Sequence, residues 1–336
     1  MLVLGIESSC DETAASVVED GKKVVSNIIA SQHDVHAPFG GVVPELASRR
    51  HVENLPVVVK EALKAASVEL EDIELFAATR GPGLLGALLV GLSAAKAMAW
   101  ARQKPFAAVN HLHGHMLAAG LTRELVYPHL CLLVSGGHTG LYRVESPTGV
   151  REISCTLDDA AGEAFDKVAK MLGLGFPGGP EIEKAAADGN ENAIKFPIAN
   201  IKGKPNHFSF SGLKTAVRNK LNGGHSVPDI AASFQKTVSD TLVKRTMAVS
   251  QQQGLKEIVI AGGVACNTHL RNSMKEATEK NGCAAVWPEP VYCTDNAAMI
   301  ASAGYYLFKE NPDGECFKDF LSIDAVANLP VENLAL

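Results

Sequence analysis

The sequence repeats one order of elements, and this repetition constrains the fold more than any other feature. An apolar run, a polar turn and a second β-rich run occupy residues 2–18, and the same order returns at residues 129–144. A buried strand, a glycine turn and a helix at residues 75–101 likewise return from residue 257 onward. Two halves with the same order predict an internally duplicated α/β protein, and ligands of such proteins collect in a cleft between the lobes.

Local patterns predict the remaining elements. A hairpin turn at residues 19–22 leads into a third strand at 24–29. Helical periodicity covers residues 45–65, 158–173 and 229–252. Residues 175–180 are too rich in glycine and proline for regular structure, and residues 208–214 are expected to form an edge strand and a turn before a basic helix.

The composition is that of a soluble, globular protein, and the length suits two domains or one large α/β unit built from two lobes. With 336 residues the chain is long enough for two domains, and its seven cysteines include no C-x-x-C pair, which suits a reducing cytosol. No apolar run reaches the roughly 20 residues of a membrane span, and the N-terminus lacks the basic region of a signal peptide. We therefore expect a cytoplasmic protein without membrane contact. The net charge of −6 argues against broad attraction to nucleic acid, so a local basic patch or a partner protein would have to supply the positive charge that binds phosphates.

The segment from Asn110 to His115 contains two histidines spaced i and i+4. On a helix, His111 and His115 project from the same side, as two ligands of one metal ion must. Partly buried histidines that bond to backbone carbonyls are the alternative. A metal site needs a third ligand, for which Asp295 is the candidate. Leu112 stands where a zinc protease of the H-E-x-x-H type has its glutamate base.

Three glycine pairs lie in the second half, at 136–137, 178–179 and 262–263. Glycine lets the backbone approach a phosphate or a ribose closely, so three such loops favour a nucleotide site. Asp166 and Asn267 could bind ribose or a base edge, or could be a surface aspartate and a helix cap. In the first turn, Asp11 and Glu12 could act as a base, or could simply be solvated; His138 could contact a phosphate or the reacting carbonyl.

These motifs together resemble the TsaD family, the bacterial tRNA N6-adenosine threonylcarbamoyltransferases formerly called glycoproteases. The resemblance extends from about Val3 to Leu307, with the motifs in family order. The segments that carry it are Gly5 to Thr13, Gly41 to Arg49, Gly81 to Leu84, His111 to His115, Val134 to Thr139, Asp158 to Phe165, Ala261 to Val264 and Thr294 to Asn296.

The resemblance implies an actin-like or Hsp70-like ATPase superfold of two duplicated ribonuclease-H-like lobes. We expect an N-terminal lobe at residues 1–109, a metal-binding histidine helix and connection at 110–128, and a tail at 311–336. The C-terminal lobe is expected at 129–310, with an insertion at about 175–225 and a last helix that packs back on the N-terminal lobe.

The resemblance also implies an activity. The family transfers a threonylcarbamoyl group from threonylcarbamoyl-AMP to N6 of adenosine 37 in tRNAs that read codons beginning with adenine. His111, His115 and Asp295 would hold one divalent metal ion, usually iron(II), with zinc or magnesium as alternatives. The adenylate would be held by the residues Leu133, Val134, Ser135, Gly136, Gly137, Asp166, Gly179 and Asn267. Archaeal and eukaryotic relatives have a tyrosine ligand at the position of Leu133, so fewer protein ligands are expected here.

Three other functions fit parts of the sequence. A kinase of the same superfold usually has Asp-x-Gly-Thr where this chain has Glu7-Ser8-Ser9-Cys10. A metalloprotease lacks its base because of Leu112, and a nucleotide-binding module without catalysis would not need the histidine helix. The implied partners are tRNA, a TsaB-type paralogous subunit and a TsaE-type ATPase. The candidate tRNA-facing residues are Lys202, Lys204, Lys214, Arg218 and Lys220.

Overall fold

The structure, a computed structural model, describes residues 1–221 and 223–331, which form two compact units. The first unit contains Met1–Tyr127, Val144–Arg151 and the chain from Pro288 onward; the second contains Pro128–Arg143 and Glu152–Trp287. Both units are discontinuous in sequence, and residues 288–310 group with the first unit. The end of the expected tail, residues 332–336, lies outside the described residues.

Ten strands and eleven α-helices form the two units in the described part of the chain. The strands are β1 (Leu2–Glu7), β2 (Glu12–Glu19), β3 (Lys23–Ser31), β4 (Leu75–Gly81), β5 (Phe106–Asn110), β6 (His129–Val134), β7 (Thr139–Val144), β8 (Val150–Cys155), β9 (Glu257–Ala261) and β10 (Ala284–Val286). The helices are α1 (His33–His36), α2 (Pro44–Ala66), α3 (Leu85–Arg102), α4 (His111–Leu117), α5 (Ala161–Met171), α6 (Gly178–Ala186), α7 (Ser211–Lys220), α8 (Val227–Gln253), α9 (Thr268–Lys280), α10 (Pro290–Cys293) and α11 (Ala297–Glu310). No helix among these residues is long and apolar enough to cross a membrane.

The first unit is built on a five-stranded sheet in the order β3-β2-β1-β4-β5. The predicted three consecutive antiparallel strands are confirmed, and β4 then pairs with β1 in parallel. Asp20 and Gly21 both have positive φ, 51° and 68°, as the tight hairpin between β2 and β3 requires. A Cβ atom on Gly21 would lie 2.3 Å from the ring of Tyr305, so glycine is also needed there for space.

Both faces of this sheet are buried, so the core of the first unit consists of two layers, one on each face. Leu4 and Ile6 point to the face that packs with α2 and α3, whereas Val3 points to the face that packs with α11. This alternation is the two-residue period of a strand. Since α11 packs on β1 and β4, the segment that precedes α11 is fixed against the first sheet.

The second unit has the sheet order β10-β9-β6-β7-β8. Read from β8, this order repeats that of the first sheet, with β6 to β10 in the places of β1 to β5. The duplication predicted from the sequence is therefore confirmed. Strands β6 and β9 are parallel, with Leu133 opposite Ala261, so the glycine turns that follow them begin at the same edge of the sheet.

Two local predictions in the second unit are wrong. Residues 178–180 are not irregular, because they form the first turn of α6, where backbone N–H groups need no helical partner and proline is tolerated. Residues 208–211 do not form an edge strand: Phe208 makes one isolated bridge with Thr156, and α7 begins at Ser211.

Candidate functional site

The histidine pair lies on α4, a short and fully buried helix of the first unit. Asn110 caps it, since its side-chain Oδ1 accepts the backbone N–H of Leu112 at 2.9 Å. His111 and His115 lie one turn apart, with ring centroids separated by 4.7 Å. The cap thus sets the start of the helix and, with it, the side from which both imidazoles project.

Asp295 lies beside this pair although it is 180 residues from His115 in sequence. Its Oδ1 is 3.1 Å from Nε2 of His115 and 3.5 Å from Nε2 of His111. The next residue, Asn296, caps α11 by accepting the N–H of Met299, so the buried helix fixes the aspartate in position. Three potential ligand atoms therefore lie within 4.8 Å of one another.

A buried carboxylate orients the first histidine. Glu7, at the end of β1, accepts a hydrogen bond from Nδ1 of His111 at 3.0 Å and one from the hydroxyl of Thr79 at 2.6 Å. The backbone N–H of Ser9 donates to the other oxygen of Glu7 at 2.5 Å. Because Nδ1 of His111 is held as a donor, its Nε2 is left to face Asp295.

The electrostatics of this cluster favour a positive charge between the three side chains. Burial alone would lower the pKa of His111, but the carboxylates of Glu7 and Asp295 raise it to about 9. Burial raises the pKa of Glu7, yet the charge and hydrogen bond of His111 outweigh burial and hold that pKa below its usual range. A proton on Nε2 of His111 thus occupies a position that suits a cation.

The donor set fits a transition metal ion. Two imidazole nitrogens and one carboxylate oxygen suit iron(II) or zinc, whereas magnesium prefers oxygen ligands throughout. Glu7 supplies the carboxylate that metal-bound histidines usually carry on their other nitrogen. Within the described residues, no other group of three or more histidine, cysteine and carboxylate side chains converges in this way.

Two predicted catalytic residues lie in the first unit, as the metal cluster does: Asp11 ends the turn after β1, and Glu12 is the first residue of β2. Asp11 and Glu12 are both half-buried there, and the hydroxyl of Ser31 lies 3.3 Å from Glu12 Oε1. Burial raises the pKa of Glu12 well above its usual range, and the charges of Asp11 and Asp295 raise it further. A carboxylate of raised pKa is a stronger proton acceptor, as a general base must be.

The third predicted catalytic residue, His138, belongs to the second unit and closes the glycine turn after β6. The N–H of Ser135 donates to the carbonyl of His138 at 2.8 Å, and the N–H of His138 donates to the Ser135 hydroxyl at 3.1 Å. Leu133 and Val134 end the buried strand before this turn. Gly136 and Gly137 are exposed, and a Cβ on either would meet no atom within 4 Å.

The backbone at two other glycines packs closely against this turn from two sides. A Cβ on Gly162 would lie 2.6 Å from the carbonyl oxygen of Ser135, and one on Gly262 would lie 2.4 Å from that of Val134. Gly262 also has a φ of +90°, which strongly favours glycine. The start of α5 and the turn after β9 thus pack directly against the turn after β6.

The other predicted adenylate residues surround the same edge of the second sheet. Asp166 Oδ1 accepts the N–H of Gly178 at 2.7 Å, which caps α6, and the position next to Gly179 is open. Asn267 caps α9 through the N–H of Leu270, and its amide nitrogen donates to Gln235 at 2.8 Å. Both polar residues therefore support the backbone around the glycines.

Sequence reasoning missed the residues around His111. Glu7, Ser9 and Thr79 lie far from the histidine pair in sequence, so their contacts with it could not be foreseen. One signal was available: Glu7 is a charged residue at the end of a strand that is otherwise apolar, and a buried carboxylate needs hydrogen-bond donors.

Comparison with known proteins gives a consistent result. A family model described as TsaD, tRNA N6-adenosine threonylcarbamoyltransferase, matches residues 23–302. The protein of that name from Syntrophotalea carbinolica is 53% identical over 341 residues, which cover 99% of this chain and 97% of the relative. The one from Geotalea uraniireducens is 50% identical, covering 100% of this chain and 98% of the relative.

Solved structures resemble the fold at low identity. HypF from T. kodakarensis has a TM-score of 0.64 at 15% identity, covering 92% of this chain and 48% of HypF. Component A of the (R)-2-hydroxyglutaryl-CoA dehydratase of Acidaminococcus fermentans has a TM-score of 0.55 at 17% identity, covering 91% of this chain and 98% of that protein. These likenesses support the predicted actin-like ATPase superfold and carry no information about the reaction.

Proposed function

Because the chain belongs to the TsaD family of tRNA N6-adenosine threonylcarbamoyltransferases, we propose a specific reaction for it. It transfers the threonylcarbamoyl group of threonylcarbamoyl-AMP to N6 of adenosine 37 in tRNAs that read codons beginning with adenine. The observation that carries this proposal is the match of about half of all residues over nearly the whole chain with relatives of that name. The chain is thus a tRNA-modifying enzyme, and the kinase alternative is not favoured.

The metalloprotease alternative fails on the chemistry of α4. Leu112, which follows the first histidine, is apolar and buried, so no base stands where H-E-x-x-H enzymes activate water. The transfer proposed here needs no such base for water. Its donor is a mixed anhydride that is already activated, and the acceptor is an amine of the tRNA itself.

His111, His115 and Asp295 would hold one divalent metal ion, for which iron(II) is our first candidate and zinc the second. Their convergence and the buried Glu7 behind His111 support this assignment. When bound, such an ion supplies a Lewis acid that polarises a carbonyl or phosphoryl oxygen. Three protein ligands leave positions for oxygens of the substrate.

The glycine turn after β6 and the start of α6 would hold the adenylate. Gly136, Gly137 and Gly179 have open space where a side chain would point, so a phosphate or ribose can approach their backbone. Asp166 keeps Gly178 and Gly179 in place through its hydrogen bond. Asn267 caps α9 and would contribute to the same site from the edge of β9.

The transfer forms a bond between N6 of adenosine and the carbamoyl carbon, while the bond from that carbon to the phosphate oxygen breaks and AMP leaves. N6 loses a proton in this exchange, and Glu12 is our candidate acceptor because its pKa is raised. Asp11, next to it, contributes to that shift by its charge. His138, beside the glycine turn, is the candidate contact for the carbonyl or the departing phosphate.

The resemblance supports further partners. We propose that a TsaB-type paralogous subunit and a TsaE-type ATPase act with this chain, and that a separate enzyme makes the adenylate. The net charge of −6 agrees with shared tRNA binding. The purified chain alone is then weakly active or inactive, and robust transfer without any partner would overturn this proposal. A cytoplasmic location follows from a tRNA substrate.

A reconstituted reaction tests the function. The chain, its partner proteins, threonylcarbamoyl-AMP and an unmodified tRNA transcript are combined, and the tRNA is digested to nucleosides for mass spectrometry. We expect N6-threonylcarbamoyladenosine with a transcript that has adenosine at position 37, and none with a transcript that has guanosine there. Equal product from both transcripts, or no product from either, would contradict the proposal.

A further inference from the structure

One stretch of the second unit differs in charge from the rest of the chain. Residues 193–228, here called the basic segment, contain six Lys and Arg residues and no Asp or Glu. The other 300 residues carry 25 Lys and Arg against 37 Asp and Glu. The six cations are Lys195, Lys202, Lys204, Lys214, Arg218 and Lys220. An acidic protein thus concentrates positive charge in about a tenth of its length.

The cations of the basic segment differ from other exposed cations in their pairing. Elsewhere, exposed cations often pair within their own helix or hairpin, as Lys23 does with Glu19, Arg49 with Glu45 and Lys167 with Glu163. Among the described residues, none of the six cations in the basic segment forms such an ion pair. Lys214 and Arg218 are also spaced i and i+4 on α7, where like charges repel each other.

The fold fixes the basic segment through its apolar residues. Leu213 and Val217 bury one side of α7, and Phe208 lies fully buried just before the helix. Arg245 of α8 donates to the carbonyl of Ala199 at 2.6 Å, and its guanidinium lies 5.7 Å from the centre of the Phe208 ring. Contacts on the buried side of the segment therefore hold its backbone in place, and most of its cations lie on the solvent-exposed side.

A second anchor fixes the start of α7. The carboxylate of Asp158 accepts hydrogen bonds from the backbone N–H groups of Phe210 and Ser211, at 2.8 and 3.1 Å, and from the hydroxyls of Ser209 and Ser211. All these bonds lie at the helix N-terminus. Lys202, Lys204, Arg218 and Lys220 remain exposed, and Lys214 is half-buried.

We infer that the basic segment is the surface on which this protein binds the phosphate backbone of its tRNA. The inference rests on the proposed function, which makes a tRNA the substrate. A polyanion relieves the repulsion between unpaired cations, and both the loop before Phe208 and helix α7 carry exposed cations that phosphates can neutralise. Because the chain as a whole is acidic, tRNA binding requires a local surface of positive charge, which the basic segment provides.

The test compares two double variants with a matched control in the complete assembly. One variant, Lys202→Ala with Lys204→Ala, changes the loop, and the other, Arg218→Ala with Lys220→Ala, changes α7. The control, Lys275→Ala with Lys280→Ala, removes two exposed lysines from α9 of the same unit. Binding of fluorescent tRNA is measured by anisotropy at salt concentrations between about 50 and 200 mM.

We expect each basic-segment variant to bind tRNA at least about tenfold more weakly at about 50 mM salt. The slope of log Kd against log salt should fall by about 0.7 to 0.9 for each phosphate that the variant no longer neutralises. In the transfer reaction, KM for tRNA rises while kcat and the KM for the adenylate stay near the values of the unsubstituted protein. The control should keep both its affinity and its slope.

Two outcomes would overturn the inference while leaving the proposed function intact, provided that the unsubstituted assembly modifies tRNA. The first is a pair of basic-segment variants that bind tRNA as the control does. The second is weaker tRNA binding that accompanies loss of a partner protein on size-exclusion chromatography, which would make the segment a protein-docking surface. Failure of the unsubstituted assembly to modify tRNA would instead count against the proposed function.

Discussion

Replacing Glu7 by glutamine should weaken metal binding without removing a metal ligand. Three donors point at the Glu7 carboxylate: Nδ1 of His111, the hydroxyl of Thr79 and the N–H of Ser9. A glutamine side chain has one acceptor oxygen and an NH₂ group, so at least one of these donors loses its partner. If the NH₂ group faces His111, Nδ1 becomes an acceptor and the ring proton moves to Nε2, the nitrogen that should bind the metal.

The size of the effect follows from the position of Glu7 behind a ligand. Losing a carboxylate that orients a metal-bound histidine typically costs about 10- to 100-fold in affinity, or about 1.4 to 2.7 kcal/mol. Glu7 is completely buried, so no water can take its place and we expect the upper part of this range.

Competition with a chromophoric chelator, using Co²⁺ or Zn²⁺, measures the affinity directly. The matched control is Thr79→Val, which removes one donor to Glu7 but keeps the bond to His111, and it should stay within about threefold of the unsubstituted protein. Circular dichroism serves to check that both variants are folded. Affinity of Glu7→Gln within about twofold of the unsubstituted protein would refute the argument from the tautomer.

Three further changes test other parts of the structure. Asp158→Asn should lower the free energy of unfolding by about 1 kcal/mol at neutral pH, because it weakens the cap of α7. Burial raises the pKa of the Asp158 carboxyl, but its hydrogen bonds outweigh burial and hold that pKa below its usual range. The stabilisation is therefore present above about pH 4 and lost as the pH falls further. Denaturant titrations of Asp158→Asn and of the unsubstituted protein should thus converge in acid. Gly262→Ala should lower the melting temperature much more than Gly254→Ala, since both glycines have positive φ but only Gly262 lacks space for a Cβ; equal losses would contradict the close packing. Gly179→Leu should leave the melting temperature nearly unchanged and weaken adenylate binding in calorimetry, because the side chain would enter open space; unaltered affinity would remove Gly179 from the proposed site.

Much of the fold could be predicted because its signals are local. The strands at residues 2–31 alternate or are continuously apolar, the hairpin has Asp20 and Gly21 at its turn, and the same order returns after residue 129. The error at α6 has a physical cause: glycine and proline usually end regular structure, but the first turn of a helix tolerates both. Asp166 then supplies a cap from another helix, which no local pattern records.

The candidate site could be predicted only in part for the same reason. The spacing of His111 and His115 is a local signal, and the motif around Asp295 makes that residue a candidate ligand. The distance between Asp295 and the histidine pair, however, depends on the packing of α11 against the first sheet. The contacts of Glu7, Ser9 and Thr79 join residues about a hundred or seventy positions apart, and only the folded chain brings them together. The cap formed by Asp158 on α7 is a further contact of this kind.

The most direct test of the metal-assisted transfer is the dependence of product formation on the ion and on Asp295. The assembly is treated with a chelator, the ion is added back under anaerobic conditions, and modified tRNA is measured for the unsubstituted protein and for Asp295→Ala. We predict that chelation abolishes transfer, that iron(II) or zinc restores it in the unsubstituted protein, and that Asp295→Ala stays inactive at the ion concentration that restores the unsubstituted protein. Full transfer after chelation, or full activity of Asp295→Ala, would contradict the account.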